Sequence, residues 1–183
     1  MRQKVIPVFV ALLLGGSAAA SETCSLAADR IAERQGLLET LAQSPNARDG
    51  RAAADAIWRY WTTAPDDRAQ KMLDEGMQSI RYGEPLAAEV ILADLIAYCP
   101  GYPEAWNQRA FARYLAGDLD GSLEDIATTL DLEPAHFGAL AGKIMILVRQ
   151  DKRGLARLTL IEALKVHPWL REGGLLGVEG QEL

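Results

Sequence analysis

The sequence predicts an all-α fold of stacked antiparallel helix pairs, and three observations carry that expectation. Proline preceded by an apolar helical stretch recurs at Pro100, Pro134 and Pro168, a spacing of about 34 residues that is the period of a helix-turn-helix repeat. In that frame Met72, Trp106 and Leu140 align near the start of each unit, Gly83, Gly117 and Asp151 at its internal turn, and the small residues Ala88, Ser122 and Ala156 after the turn. Branched apolar residues then close each unit, at Leu92, Ile126 and Leu160 and again at Ile96, Leu130 and Leu164. Units of this kind cannot bury their apolar faces alone, so neighbours must stack.

The elements follow in order. Residues 1–20 have the layout of a secretory signal: Arg2 and Lys4, an apolar run from Val5 to Leu14, then the small residues Gly15 to Ala20. Cleavage near Ala20 is expected. The run is too short to span a bilayer, which takes about 20 apolar residues, and Ser21-Glu22-Thr23 before Cys24 is unlike a lipoprotein signal. A periplasmic or secreted location is therefore expected, without membrane insertion. Residues 21–68 read as a helix pair. Stepping back one period puts Leu38, Ala42, Ala54 and Trp58 at the repeat positions, with Pro65 one residue early, so Gln35–Arg68 is read as a diverged repeat; an unrelated hairpin capping the stack is the alternative.

Unit one, residues 69–102, starts after the N-cap types Asp66-Asp67 and lines Met72, Leu73, Gly76, Met77 and Ile80 along one side of its first helix. Gly83-Glu84-Pro85 breaks that helix, and the partner helix Leu86–Cys99 is apolar around much of its circumference. Unit two, residues 103–136, opens with Pro103 and Glu104, a proline that sacrifices no intrahelical donor and an acid that complements the positive dipole end. Unit three covers residues 137–170, and a C-terminal tail covers 171–183.

The middle unit, from Pro103 to His136, resembles a tetratricopeptide repeat: Trp106 stands at the family's tryptophan position, Gly117-Asp118 at its turn, and Leu130 and Pro134 at its end. The resemblance implies a right-handed solenoid of antiparallel helix pairs. Departures occur at Ile144, where a small residue is usual, at Asp151 in place of the turn glycine, and at Arg113 where a packing aromatic is commoner. The resemblance further implies a concave surface lined by the first helix of each pair, binding a protein, peptide or helix. In the repeat frame the lining positions are Leu73, Met77, Ile80 and Arg81, then Asn107, Phe111 and Tyr114, then Ala141, Met145, Val148 and Arg149. That mixture suits an apolar segment with an anionic group near its end, since methionine adapts its shape, aromatics supply contact area and arginine forks to carboxylate. Two occupants from within the chain compete for the groove: the N-terminal helix, and the tail with Leu175, Leu176 and Val178.

Composition excludes several classes. Loss of residues 1–20 leaves 163, a size that buries a continuous core, and takes the formal charge from −6 to −8. An acidic chain without a basic run is not expected to bind nucleic acid. His136 and His167 each adjoin a proline-bearing junction with no partner at metal-ligand spacing, so both read as satisfied structural histidines and no metal or cofactor is expected. Gly142-Lys143 lacks the rest of a phosphate loop, no glycine-flanked serine of the hydrolase type occurs, and Glu124-Asp125 reads as a solvated helix face. The expectation is a binding module, an adaptor or scaffold, and not an enzyme. A subunit packed permanently into an assembly or a homo-oligomer is the other reading.

Cys24 and Cys99 are an even count in a chain expected in an oxidising compartment, which favours pairing. Stacked pairs put the end of the second helix, with Cys99, beside the starts of the first helices, where a bridge to Cys24 would tie the N-terminal helix over the end of the stack. The other reading is a buried Cys99 and a free Cys24 thiol.

Overall fold

The computed structural model describes Cys24 and residues 28–177, so the expected signal segment and Val178 lie outside the described residues. Within them the chain is an all-α helical solenoid. The helices are α1 (Ala28–Ala42), α2 (Ala47–Trp61), α3 (Asp67–Arg81), α4 (Pro85–Tyr98), α5 (Pro103–Ala116), α6 (Leu119–Leu132), α7 (Phe137–Arg149) and α8 (Arg153–Val166), followed by a short 3-10 helix, Arg171–Leu176. None of them is long and apolar enough to cross a membrane.

The period is visible in the backbone. The second helices begin at Pro85, Leu119 and Arg153, 34 residues apart, and each follows the same left-handed turn. Gly83, Gly117 and Asp151 carry φ of 77°, 89° and 56°. The amide after each donates five residues back, Glu84 to Ser79, Asp118 to Arg113 and Lys152 to Leu147, at 2.8–2.9 Å. This is the Schellman closure, which satisfies carbonyls that the helix end would leave orphaned. An aspartate tolerates the left-handed conformation better than most residues with a Cβ, so the loss of glycine at 151 does not shift the turn.

Packing inside the repeats alternates between close approach and charge. In repeat one a Cβ on Gly76 would come within 2.7 Å of Leu92, so glycine lets α3 and α4 lie against each other. In repeat two Arg113 occupies the place of a packing aromatic and reaches Glu89 on α4 at 2.8 Å, Asp125 on α6 at 3.1 Å and the carbonyl of Gly121. Burial pulls its pKa down, but the Glu89 hydrogen bond and the Asp125 and Asp118 carboxylates outweigh that and hold it above the ordinary value. Arg109 grips the same Asp125 with two hydrogen bonds of 2.7 and 2.8 Å. Asp125 is 2% exposed, so the expectation of a solvated Glu124-Asp125 face holds for Glu124 alone. The physical reason is the Arg109 and Arg113 pair on α5, one helical turn apart, which makes burial of the carboxylate affordable.

The N-terminal pair departs from the expected frame. One period before Gly83 is position 49, which lies inside α2; the actual turn is at residues 43–46. Asn46 sets the start of α2, its side-chain oxygen accepting from the amides of Arg48 and Asp49 at 3.0 Å. Nor does α2 stack on α3 as a preceding repeat would. The hairpin lies across the junctions where one repeat ends and the next begins. Cys24 is disulfide-bonded to Cys99 at the first junction, with Cα atoms 5.4 Å apart. Tyr102, also there, donates its hydroxyl to the carbonyl of Trp61, and burial pushes its phenol far above the usual pKa. At the second junction Arg34 pairs with Glu133 at 2.7 Å and Trp61 stacks on His136, ring centroids 3.8 Å apart. At the third, Trp169 donates to the carbonyl of Ser44 at 3.2 Å. Thus α1 runs from the first junction to the third, and α2 returns.

The largest apolar cluster is shared between this hairpin and repeat three: Leu41, Ile57 and Trp61 bury with Phe137, Ile144, Leu147, Leu160, Leu170 and Leu176. The C-terminal tail therefore covers α7 and α8 through Leu176 and leaves Leu175 exposed; within the described residues it does not enter the groove.

Candidate functional site

The first helices α3, α5 and α7 enclose a cavity of about 460 Å³, within the range of sites that hold ligands or peptide side chains. Its apolar wall comes from Met77 and Ile80 on α3, Phe111 and Tyr114 on α5, Ala141, Met145 and Ile146 on α7, and Ile126 on α6. Two features keep it hollow. Gly138 and Gly142 stand one turn apart on α7, and a Cβ at Gly138 would press to 2.6 Å from the Trp58 ring. Trp58 itself projects from α2 and closes the end of the cavity nearest the junctions. The N-terminal pair thus walls the groove and does not fill it.

The polar groups are few and placed apart. Arg81 lies at the end of α3 and is the charged residue on the wall, which carries no acid. Toward the junction end sit Asn107 and Gln108, 8% and 9% exposed, both on the cavity wall. Behind them Glu104 is fully buried. Its carboxylate accepts from Gln108 at 2.5 Å, Asn107 at 3.1 Å and His136 Nε2 at 2.8 Å. The His136 Nδ1 accepts from the amide of Ala139, capping α7, so the ring hydrogen on Nε2 is the one that meets Glu104.

The sequence-derived positions divide on inspection. Met77, Ile80, Arg81, Asn107, Phe111, Tyr114, Ala141 and Met145 lie on the cavity wall. Leu73 does not; it is fully buried between α3 and α4 with Leu92 and Leu95, because the close approach at Gly76 draws it into the repeat interior. Val148 packs toward the cluster shared with the N-terminal pair. Arg149 stands off the wall, its guanidinium 5.4 Å from the Tyr114 ring centroid, a cation–π distance. Gln108, Ile126, Ile146 and Trp58 were not anticipated. The glycine pair on α7 was the available signal for a hollow there, whereas Trp58 comes from an element outside the repeat frame.

Cys24, Asp66 and Cys99 form a grouping of metal-ligand type, but both sulfurs are spent in the disulfide. His167, buried beside Phe137 with its Nδ1 accepting from the Trp169 amide, is pushed down to about 4 by desolvation and is neutral at physiological pH.

No family model matches the chain. It is similar to a TPR repeat-containing protein of Rhizobium etli, 29% identical over 138 residues that cover 74% of this chain and 68% of the relative. It is also similar to Tetratricopeptide repeat protein 36 of Xenopus tropicalis, 31% identical over 116 residues, covering 61% of this chain and 57% of the relative. Among solved structures it is similar to a MamA RS-1 ArsTM double mutant, with a TM-score of 0.57 and 26% identity over 62% of this chain and 65% of that one. The likeness to two proteins named for the tetratricopeptide repeat agrees with the all-α helical solenoid of this chain. The chain spans between 57% and 68% of the lengths of these proteins.

Proposed function

We propose, on the premise of tetratricopeptide repeat relatives, that the protein is an envelope adaptor or scaffold. It holds an apolar segment of a partner protein in the α3–α5–α7 cavity, with an acidic group of that segment toward Arg81 and Arg149. The observation that carries this reading is the cavity itself, an apolar hollow whose charged wall residue is an arginine, in a chain of net charge −6. The proposed role is binding without turnover and without a cofactor. A place outside the cytoplasm is part of the proposal; the signal-like residues 1–20 and the Cys24–Cys99 bridge support it.

Phe111 is 41% exposed on the wall, so truncation there touches binding more than folding. Phe111→Ala combined with Tyr114→Ala is expected to weaken capture of the partner from envelope extract at least tenfold, the scale of about 1.4 kcal/mol, with the melting temperature little changed. Unchanged capture with a large loss of stability would place these residues in the core and the working surface elsewhere.

A permanent subunit role is the second reading, and the outer face of α4 favours it. Leu86 and Val90 are 68% and 65% exposed, whereas the matching positions on α6 are Asp120 and Glu124. Obligatory self-association of the purified protein would support that reading over the adaptor.

A further inference from the structure

The Glu104 carboxylate sits behind the wall of the groove, does not line the hollow, and is fully buried. A carboxylate can only accept hydrogen bonds, so the side-chain amides of Asn107 and Gln108 must turn their NH2 groups toward it. Their carbonyl oxygens are left over. No group among the described residues donates to either, and both residues face the cavity. The orientation is held from behind, since His136 also donates to Glu104 and is itself fixed by the Ala139 amide and by its stack on Trp61.

We propose that Glu104 is a positioning residue that sets the hydrogen-bond polarity of the groove. It makes Asn107 and Gln108 acceptors toward the occupant, so the groove takes an extended peptide through main-chain N–H donors. This rests on the groove-binding reading above and deepens it. The apolar side chains at Phe111 and Met145 receive a side chain of the peptide, Arg81 receives an acidic group, and the two carbonyls discriminate for a backbone amide at the junction end. Ligands that present only acceptors there are excluded, because they would cover two carbonyl oxygens without supplying a donor.

In Glu104→Gln the polarity reverses at Gln108. The new side chain keeps one carbonyl oxygen, which still accepts from His136 and Asn107 as Glu104 Oε2 does, and turns its NH2 toward Gln108 in place of Oε1; the Gln108 amide must flip to accept it and present NH2 to the hollow. The test uses an immobilised library of decapeptides with a central Leu or Phe flanked by Asp and Glu, screened against the whole mature protein. The best binder is then remade with each central amide replaced in turn by an ester, which removes one N–H and keeps the shape. In the wild type one or two ester positions are expected to cost about tenfold in affinity. In Glu104→Gln the ester opposite Gln108 should cost less than threefold, and the parent peptide should bind at least tenfold more weakly. Asn107→Leu, which leaves Glu104 with donors from Gln108 and His136, should likewise erase one ester effect and serves if Glu104→Gln fails to fold. Binding that is lost in Phe111→Ala but shows equal ester costs in wild type and variants overturns the polarity assignment alone. A library with no binder sensitive to Phe111→Ala overturns the groove reading and this inference with it.

Discussion

The N-terminal hairpin and the middle repeat are both helix pairs of similar length, yet they are held by different physics. The middle repeat obeys the period. Its turn and the start of its second helix recur at 34 residues, and its unusual Arg113 is absorbed by a local network with Glu89, Asp118 and Asp125. The hairpin obeys no period. It is attached by the Cys24–Cys99 bridge, the Arg34–Glu133 ion pair and large aromatic side chains that reach residues far along the chain, as Trp61 does to His136 and Phe137. Repeats propagate by nearest-neighbour contacts, whereas a hairpin laid across several junctions couples units that otherwise do not touch. That coupling also supplies Trp58 to the groove, so an element outside the repeats shapes the site.

The largest expected effect breaks this comparison at the hairpin. Trp61 is 3% exposed and packs on both His136 and Phe137. Trp61→Ala is expected to cost about 4 kcal/mol, the range of large aromatic truncations in a core. Urea unfolding should then lose its single transition, with α1 and α2 melting before the repeats. A single transition of unchanged midpoint would mean that the hairpin is held by the bridge and Arg34 alone.

A smaller effect sharpens the comparison through acid. The His167 ring has a folded pKa of about 4 against 6.5 unfolded, because burial beside Phe137 disfavours its charged form. Between these values the unfolded chain binds more protons, so this contribution is complete above about pH 6.5 and is lost as pH falls toward 4. Discounted for the water that still reaches the ring, the loss is on the order of 2 kcal/mol. His167→Asn, which can still accept from the Trp169 amide, should remove that part of the acid slope. An identical slope in wild type and variant between pH 6.5 and 4 would assign the acid sensitivity to other groups.

What was legible in the sequence follows the same division. Pro100, Pro134 and Pro168 with the residues at 83, 117 and 151 located every turn of the three repeats, because helix breakers and left-handed turn residues act locally. The wall positions Met77, Phe111 and Met145, one period apart, were legible for the same reason. The helix pair within 21–68 is there, but the diverged-repeat frame puts its turn several residues late, because Pro65 and Trp58 match that frame while the hairpin's contacts, such as Arg34 to Glu133, span 99 residues and leave no periodic trace; the alternative of a separate hairpin carries no such frame. Asp125 was misread as solvated since its burial depends on two arginines 16 and 12 positions earlier on a different helix. Glu104 looked like a helix-dipole acid, and nothing in its own neighbourhood announces His136 as its third donor, 32 residues on.

The central claim is that the working surface is the cavity between the first helices and not the exposed apolar face of α4. A photo-crosslinking amino acid placed at Phe111, on the cavity wall, and in a separate variant at Leu86, on the outer face, tests it most directly in the cells that make the protein. The account predicts a discrete adduct from position 111 that an excess of a groove-binding peptide suppresses, and none from position 86. An adduct from position 86 alone would contradict it and make α4 the interface.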